Sequence, residues 1–304
     1  MLDPKDLYHI ELSPWLDVLG KQVVLIHLFD GYIDAGSVTH TTGKYILEQC
    51  DAEPMVIFDH DQVHDYRSRR PQFTFDTDKW VAMHDYELLI YKVKDAYGKP
   101  FLLMTGPEPD TQWNRVAAAV MQICERLGVR NLYTASGVPM AVPHTRPTLV
   151  TEHSTDPGNV GGNPVWIDRV QIPGSFSHML EYIAGESGLT AGGFLAHVPH
   201  YLSQGPFPPA IAEVLARING AADLDIPLGP ILESAEEMRK SIDQEAAEDT
   251  EFPKILAALE EQYDEMRKSG AVSVPSAEEI GATVERFLAE QDGPENKGLP
   301  PLKP

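Results

Sequence analysis

The feature that most constrains the fold is a series of short, continuous apolar runs separated by segments with helical periodicity. Strands whose apolar residues are continuous rather than alternating are typically buried on both faces of a sheet. Strands that alternate with helices along the chain favour parallel pairing, with helices on both faces. The sequence therefore predicts an α/β fold, a three-layer α/β/α sandwich with a largely parallel central sheet. Its strand candidates are residues 23–29, 55–58, 88–91, 101–104, 131–135 and 194–198.

The clearest helix of this series is predicted over residues 111–127. Its apolar residues recur at helical spacing and form one continuous face, which indicates a helix packed on the sheet. Asp110 is suited to the N-cap, and Gly128 is suited to the position that ends the helix.

The last quarter of the chain differs in composition from the rest. Residues 231–304 contain 18 acidic and 8 basic residues and no strand-like run. Their pattern predicts three amphipathic helices, two of which begin with capping-box spacing at Ser234–Glu237 and Ser276–Glu279. We therefore expect three parts: an α/β/α domain over 1–230, an acidic helical extension over 231–291 that packs on that domain or on a neighbouring subunit, and a disordered tail over 292–304.

Charge and cysteine content narrow the class of protein. Lys and Arg number 24 and Asp and Glu number 46, so the formal net charge is −22. A charge this negative argues against nucleic acid and against an anionic membrane surface as partners. No apolar run is long enough to span a bilayer. Cys50 and Cys124 are too few for a disulfide scaffold, so we expect reduced thiols and a cytoplasmic location.

Polar side chains follow three predicted strands, at the sheet edge where parallel α/β proteins bind ligands. The segment 29–36 has the glycine spacing of a phosphate loop but lacks the lysine that reaches the phosphates, and nearby carboxylates would repel them. Carboxylates would instead suit a divalent cation, a sugar hydroxyl or a basic protein. Asp34 and Asp110, however, are well placed as helix N-caps, which need no ligand, and we favour that interpretation. The candidate ligand-binding residues are Asp30, Asp34, Thr105, Glu108, Ser136 and Arg146.

The segment 58–71 is the densest in polar groups. His60 and His64 would share one helix face, but no third ligand occurs at a recognised spacing, so we predict no metal site. Arg67, Arg69 and Arg70 form a basic island that could bind an anion or a protein partner, or pair with the protein's own acids. No Gly-x-Ser-x-Gly elbow occurs, and no triad can be assigned from spacing, so we assign no catalytic residue and no cofactor.

Seven segments occur in a specific order within residues 20–265: Gly31–Gly36, His64–Pro71, Thr105–Asp110 with Trp113, Ser136–Pro147, Ile172–Ser175, His197–Tyr201 and Leu259–Asp264. Together they resemble the proteasome assembly chaperone 2 family, in its bacterial, actinobacterial-type branch. The resemblance implies a domain similar to the nucleoside-phosphorylase-like architecture with a helical C-terminal addition. It also implies self-association.

In eukaryotes and archaea, members of this family help to assemble proteasomes or bind their α-rings. Some relatives dock through a C-terminal hydrophobic-Tyr-any motif. Residues 299–304 contain no tyrosine, so we do not expect docking by that route. We therefore predict a non-catalytic interaction protein that forms a dimer or trimer and has a protein partner, such as a proteasome-related or other ring assembly. The alternative is a nucleoside-phosphorylase-like or hydrolase-like small-molecule enzyme or binder, with its site at the strand ends.

Overall fold

A computed structural model describes residues 2–11, 23–84, 86–156, 158, 169–248 and 252–269. Each of the six predicted strands is present within these residues. The strands are β1 (Tyr8–Ile10), β2 (Val23–Asp30), β3 (Asp51–Phe58), β4 (Gln72–Asp76), β5 (Lys79–His84), β6 (Leu89–Lys94), β7 (Pro100–Pro107), β8 (Val129–Met140), β9 (Val150–Ser154) and β10 (Thr190–Pro199). The helices are α1 (Val38–Gln49), α2 (His60–Val63), α3 (Trp113–Leu127), α4 (Phe176–Glu186), α5 (Pro208–Ala222), α6 (Gly229–Glu248) and α7 (Phe252–Ser269).

Eight strands form one sheet in the order β1-β3-β6-β7-β2-β8-β10-β9. The four adjacent strands β7, β2, β8 and β10 are parallel, with Leu25 of β2 opposite Leu102 of β7 and Leu132 of β8. β6 is antiparallel to β7, and β3 is antiparallel to β6, so β3 runs in the same direction as the four central strands. The edge strands β1 and β9 are each antiparallel to their neighbour. Five of the eight strands therefore point one way, which confirms the predicted α/β class with a largely parallel sheet.

The sheet separates two apolar cores. Seven consecutive residues of β2, from Val23 to Phe29, are buried, as expected for a strand covered on both faces. Ile26 and Leu28 pack in the core under α1 and α5, whereas Leu25 and Phe29 belong to the core under α3 and α4. The three-layer arrangement thus follows from strands that are apolar on both faces.

Helix α3 confirms the predicted amphipathic helix and its end but not its beginning. Gly128 follows α3 with φ 71°, the left-handed conformation that glycine adopts most easily. The N-cap residue is Gln112, so the prediction of Asp110 as the cap of this helix was wrong. The backbone N–H of Asp110 instead donates to the carbonyl of Val63, at 2.9 Å, which turns the residue toward the segment after α2.

The C-terminal part contains two helices within the described residues. Ser234 lies inside α6 rather than at its start, and its hydroxyl donates to the carbonyl of Pro230 at 3.0 Å, so the first predicted capping box was wrong. The helix begins at Gly229 because Pro230 is favourable in a first turn. The capping box at Ser276–Glu279, the rest of the extension to 291 and the tail 292–304 lie outside the described residues. Of the helices described, none is long and apolar enough to cross a membrane.

Strands β4 and β5 form a separate antiparallel hairpin, which the sequence analysis did not anticipate. All 5 residues of β4 and all 6 residues of β5 are exposed. The turn between them includes Thr77 with φ 57°. We call residues 72–84 the hairpin arm.

Candidate functional site

A cavity of about 440 Å³ lies at the carboxyl ends of β2 and β7. This is the sheet edge at which the sequence places the ligand candidates, and two of them, Asp30 and Glu108, line the cavity. We call it the rim cavity. Its lining residues are Asp30, Gly31, Tyr32, Ser68, Arg69, Tyr86, Pro107, Glu108 and Asp110.

The basic group of the rim cavity is bound by the protein's own oxygens. Arg69 Nη2 donates to Asp110 Oδ1 at 2.6 Å and also to the carbonyl of Glu108. The other carboxylate oxygen of Asp110 accepts from the backbone N–H of Asp65 at 2.7 Å and lies 3.2 Å from Nδ1 of the buried His64. His64 Nε2 donates to the carbonyl of Arg69 at 2.8 Å. This network holds the segment after α2 against the end of β7.

Glu108 joins the same sheet edge to α4. Its Oε1 accepts a hydrogen bond from the backbone N–H of Phe176, the first residue of that helix. A carboxylate at a helix N-terminus is stabilised by the free N–H groups and by the helix dipole. The backbone N–H of Glu108 donates to the carbonyl of Asp30 at 3.0 Å, which continues the β2–β7 ladder beyond its last pair.

The two aspartates that follow β2 differ in their surroundings. Asp34 accepts from the backbone N–H groups of Thr39, at 2.6 Å, and His40, at 3.2 Å, so its carboxylate binds the first turn of α1, although Ser37 occupies the N-cap position of that helix. Burial raises the pKa of Asp34 above its ordinary value, and these hydrogen bonds oppose the rise. Asp30 Oδ1 lies 3.0 Å from His40 Nδ1 in a pair that is about half exposed to solvent.

The other four ligand candidates, Asp34, Thr105, Ser136 and Arg146, lie outside the lining of the rim cavity. The hydroxyl of Thr105 packs against α1, where a Cβ on Gly43 would lie 3.0 Å from Thr105 Oγ1. Ser136 lies within the β8–β10 ladder, opposite Leu195. The structure therefore brings Asp30 and Glu108 together and leaves these two hydroxyls apart from them.

Arg146 is used to hold α7. Its Nε and Nη2 donate to the two carboxylate oxygens of Asp264 at 3.0 and 2.9 Å, and Nη1 donates to Glu260 at 3.2 Å. The neighbouring hydroxyl of Thr145 also donates to Glu260, and Tyr263 donates to the carbonyl of Pro147 at 2.8 Å. The predicted ligand candidate is thus the centre of a contact between the loop after β8 and the C-terminal helix.

The three arginines of the basic island have different surroundings, since Arg69 is partly buried and bonded to Asp110. Arg67 and Arg70 are exposed, and neither side chain forms an ion pair within the described residues. His60 and His64 stack with ring centroids 4.3 Å apart. Within the part of the chain that the structure covers, no group of three metal-ligating side chains is found.

The hairpin arm carries apolar side chains on one face. Phe73 pairs with Met83 and Phe75 pairs with Trp80 across the two strands, so all four point to the same side. Their exposures are 50%, 50%, 55% and 65%, respectively, and Trp80 makes edge-to-face contacts with both phenylalanines. The sequence carried a signal for this arm, namely alternating Phe73 and Phe75 before the polar turn. The other face carries Gln72, Thr74, Asp76, Lys79, Ala82 and His84, and Val81, which is 49% exposed, lies at the irregularity in the ladder.

Two histidines lie buried in the sheet away from the rim cavity. His27 in β2 is 1% exposed, and neither of its ring nitrogens has a hydrogen-bond partner among the described residues. Burial, with a smaller contribution from His153, lowers the pKa of His27 to about 3. Burial also lowers the pKa of His197 to about 4, and its Nε2 lies 2.8 Å from the hydroxyl of Thr151. Both rings are therefore neutral in the folded protein at neutral pH.

The chain matches the model of the PAC2 family over residues 28–246. A Mycobacterium tuberculosis protein of unknown function is 37% identical to it with a TM-score of 0.81, and the match covers 93% of this chain and 92% of that one. Among curated proteins, no match is found.

Some solved structures of similar fold are named for the proteasome. A Mycobacterium tuberculosis proteasome-assembly chaperone homologue is 23% identical with a TM-score of 0.71, and the match covers 77% of this chain and 100% of that one. Pyrococcus furiosus PbaB, an archaeal proteasome activator, is 15% identical with a TM-score of 0.58, and the match covers 78% of this chain and 97% of PbaB. At these identities the likeness concerns the fold.

Proposed function

We propose that this chain, which belongs to the PAC2 family, is a non-catalytic interaction protein that self-associates and assists the assembly of a protein complex. Relatives of the same fold that are named for the proteasome support a proteasome-related or other ring assembly as the partner. We also place the protein in the cytoplasm, where the free thiols Cys50 and Cys124 would stay reduced.

The observation that carries this proposal is the uncovered apolar face of the hairpin arm. A protein that works alone rarely exposes a contiguous group of large apolar side chains, because such patches promote association. Phe73, Phe75, Trp80 and Met83 form such a group on an element that contributes nothing to either core. Aromatic side chains are also enriched at the centre of protein interfaces.

The state of the rim cavity supports a non-catalytic role. Arg69 and Asp110 neutralise each other, and Glu108 binds a helix N-terminus. Asp34 likewise binds the first turn of α1, so most charged groups at this edge have a structural partner. A catalytic site would instead need groups directed at a substrate.

The proposal can be tested by reconstitution. The purified chain is mixed with purified α subunits of the proteasome of its own organism, and the mixture is separated by size with light-scattering detection. We expect a self-associated species, and a complex or a faster appearance of assembled rings when the α subunits are present. A chain that is monomeric at every concentration and neither binds nor accelerates ring assembly would contradict the proposal.

The rim cavity itself favours a second candidate, a small-molecule binder. Its volume of about 440 Å³ is within the range of ligand pockets, and Tyr32 and Tyr86 provide aromatic surfaces beside the carboxylates. A thermal-shift screen with nucleosides and nucleotides tests this candidate. A ligand at about 100 times its dissociation constant would stabilise the fold by roughly 2.7 kcal/mol, whereas the interaction proposal predicts no shift.

A further inference from the structure

We propose that the β1 edge of the central sheet is a docking site for an extended, acidic segment of a protein partner, which adds to the sheet as a further strand. The site is a cavity of about 670 Å³ between β1 and the C-terminal part of α3. We call it the edge groove. None of its lining residues lines the rim cavity or belongs to the hairpin arm, so the inference goes beyond the proposed function and does not depend on it.

The outer edge of β1 offers backbone groups that no described strand uses. β1 is the last strand of the sheet on this side and pairs with β3 alone among the described strands. The carbonyl of Leu7 and the N–H of Glu11 bond to β3 and the residue after it, at 2.7 and 2.9 Å. Because the two directions alternate along an antiparallel strand, Tyr8 and Ile10 direct their N–H and C=O groups away from β3. Both residues line the edge groove.

The edge groove has a fixed frame. A short 3-10 turn over Pro4–Leu7 precedes β1. Arg115 of α3 holds the start of that turn, since its Nε and Nη2 donate to the carbonyl of Asp3 at 2.9 and 2.7 Å. The opposite wall is one turn of α3 that carries Gln122, Glu125 and Arg126. A groove that is already formed loses little freedom when a strand enters it, and strand addition to a free sheet edge is a common way to bind a peptide.

Charge identifies an acidic segment as the occupant. Lys5 and Arg126 line the groove, both are exposed, and neither forms an ion pair within the described residues. Glu125 is the one carboxylate among the described lining residues, so with His9 neutral the lining has a net charge of 2 − 1 = +1, on a chain whose total is −22. Carboxylates of an incoming strand therefore meet two uncompensated cations, whereas basic side chains meet like charges.

The first experiment measures the binding of labelled peptides to the full chain by fluorescence anisotropy. One peptide alternates glutamate with valine, and a second alternates lysine with valine. A third has the same number of glutamates as the first, separated by pairs of prolines, which remove N–H groups on both sides of a strand. We expect only the first peptide to bind, and we expect its binding to weaken as the salt concentration rises.

Charge reversal tests which surface binds the acidic peptide. Lys5→Glu with Arg126→Glu should weaken its binding about tenfold or more, because two attractive charges become repulsive. The matched control is Lys44→Glu with Lys240→Glu, which makes the same change of charge at two lysines on α1 and α6 that are each 66% exposed. The control should bind the peptide with the wild-type affinity.

Every other outcome counts against the inference. Equal binding of the proline-containing peptide would show attraction between charges without strand addition. Equal binding by both double variants would place the peptide elsewhere on the chain. No binding at all would mean that solvent or another part of this chain occupies the groove. None of these results bears on the proposed function, whose test measures self-association and binding to α subunits.

A second measurement needs no variant. Hydrogen exchange of the Tyr8 and Ile10 amides is followed with and without a saturating amount of the glutamate–valine peptide. We expect both amides to become protected when the peptide is bound, while the amides of the hairpin arm keep their rates. Unchanged exchange at Tyr8 and Ile10 in the saturated complex would overturn the inference.

Discussion

Acidification is expected to destabilise this fold because His27 and His197 are buried in the neutral form. The pKa of His27 falls from its ordinary value of 6.5 to about 3, and that of His197 falls to about 4. Once the pH is below 6.5, the unfolded chain takes up a proton on each ring while the folded chain does not. Stability is therefore lost as the pH falls from 6.5, and the loss levels off at about pH 4 for His197 and about pH 3 for His27.

The magnitude follows from these pKa differences. Each histidine removes about 1.4 kcal/mol from the free energy of unfolding for every pH unit within its window. At about pH 5, which is 1.5 units below 6.5, the two together remove on the order of 4 kcal/mol. That is a large share of the roughly 5–15 kcal/mol that stabilises a typical domain.

Urea unfolding at a series of pH values measures this effect. His27→Leu removes one titrating ring from the core, so the slope of unfolding free energy against pH should fall by one proton between pH 6.5 and about 3. The control is His9→Gln, which removes an exposed ring on β1 and should leave the free energy of unfolding at neutral pH unchanged. Parallel curves for the wild type and His27→Leu would refute the assignment of a buried neutral ring.

Three further substitutions, the first with a matched control, test the packing of β8, the C-terminal helix and the rim cavity. Gly137→Ala would place a Cβ 2.0 Å from the carbonyl oxygen of Ala35, and we expect it to lower the free energy of unfolding by about 3 kcal/mol. The control is Gly98→Ala, where a Cβ would have no atom within 4 Å. It should lower the free energy of unfolding by about 1 kcal/mol because of the positive φ alone. Arg146→Ala should increase hydrogen exchange throughout α7 and leave the sheet unchanged, and equal exchange in both proteins would contradict its role in holding that helix. Arg69→Met should lower the free energy of unfolding by about 1–3 kcal/mol, because the Asp110 carboxylate loses its arginine partner; an unchanged melting temperature would argue against the network.

The strands and the main helix could be predicted because their signals are local. The run from Val23 to Phe29 is buried along its length, and the apolar spacing of α3 reports directly which face meets the sheet. The antiparallel direction of the outer strands could not be predicted from local sequence, since strand direction depends on how distant segments pair. The predicted start of α6 was wrong because the segment Ser234–Glu237 has the spacing of a capping box, whereas the helix already begins at Gly229.

The candidate site was only partly predictable for a related reason. The placement of Asp30 and Glu108 at one edge follows from the rule that parallel strands end together. The partners of Arg146 are 114 and 118 residues away, and those of Arg69 are 39 and 41 residues away, so no spacing pattern reveals them. The hairpin arm was missed because its apolar residues alternate in a short segment and belong to neither core.

The most direct test of the interaction account is the molar mass of the wild-type chain in solution, measured by sedimentation equilibrium over a wide range of concentrations. The account predicts a reversible association to an integer multiple of the 33.7 kDa chain. A single species of 33.7 kDa at every concentration would contradict it.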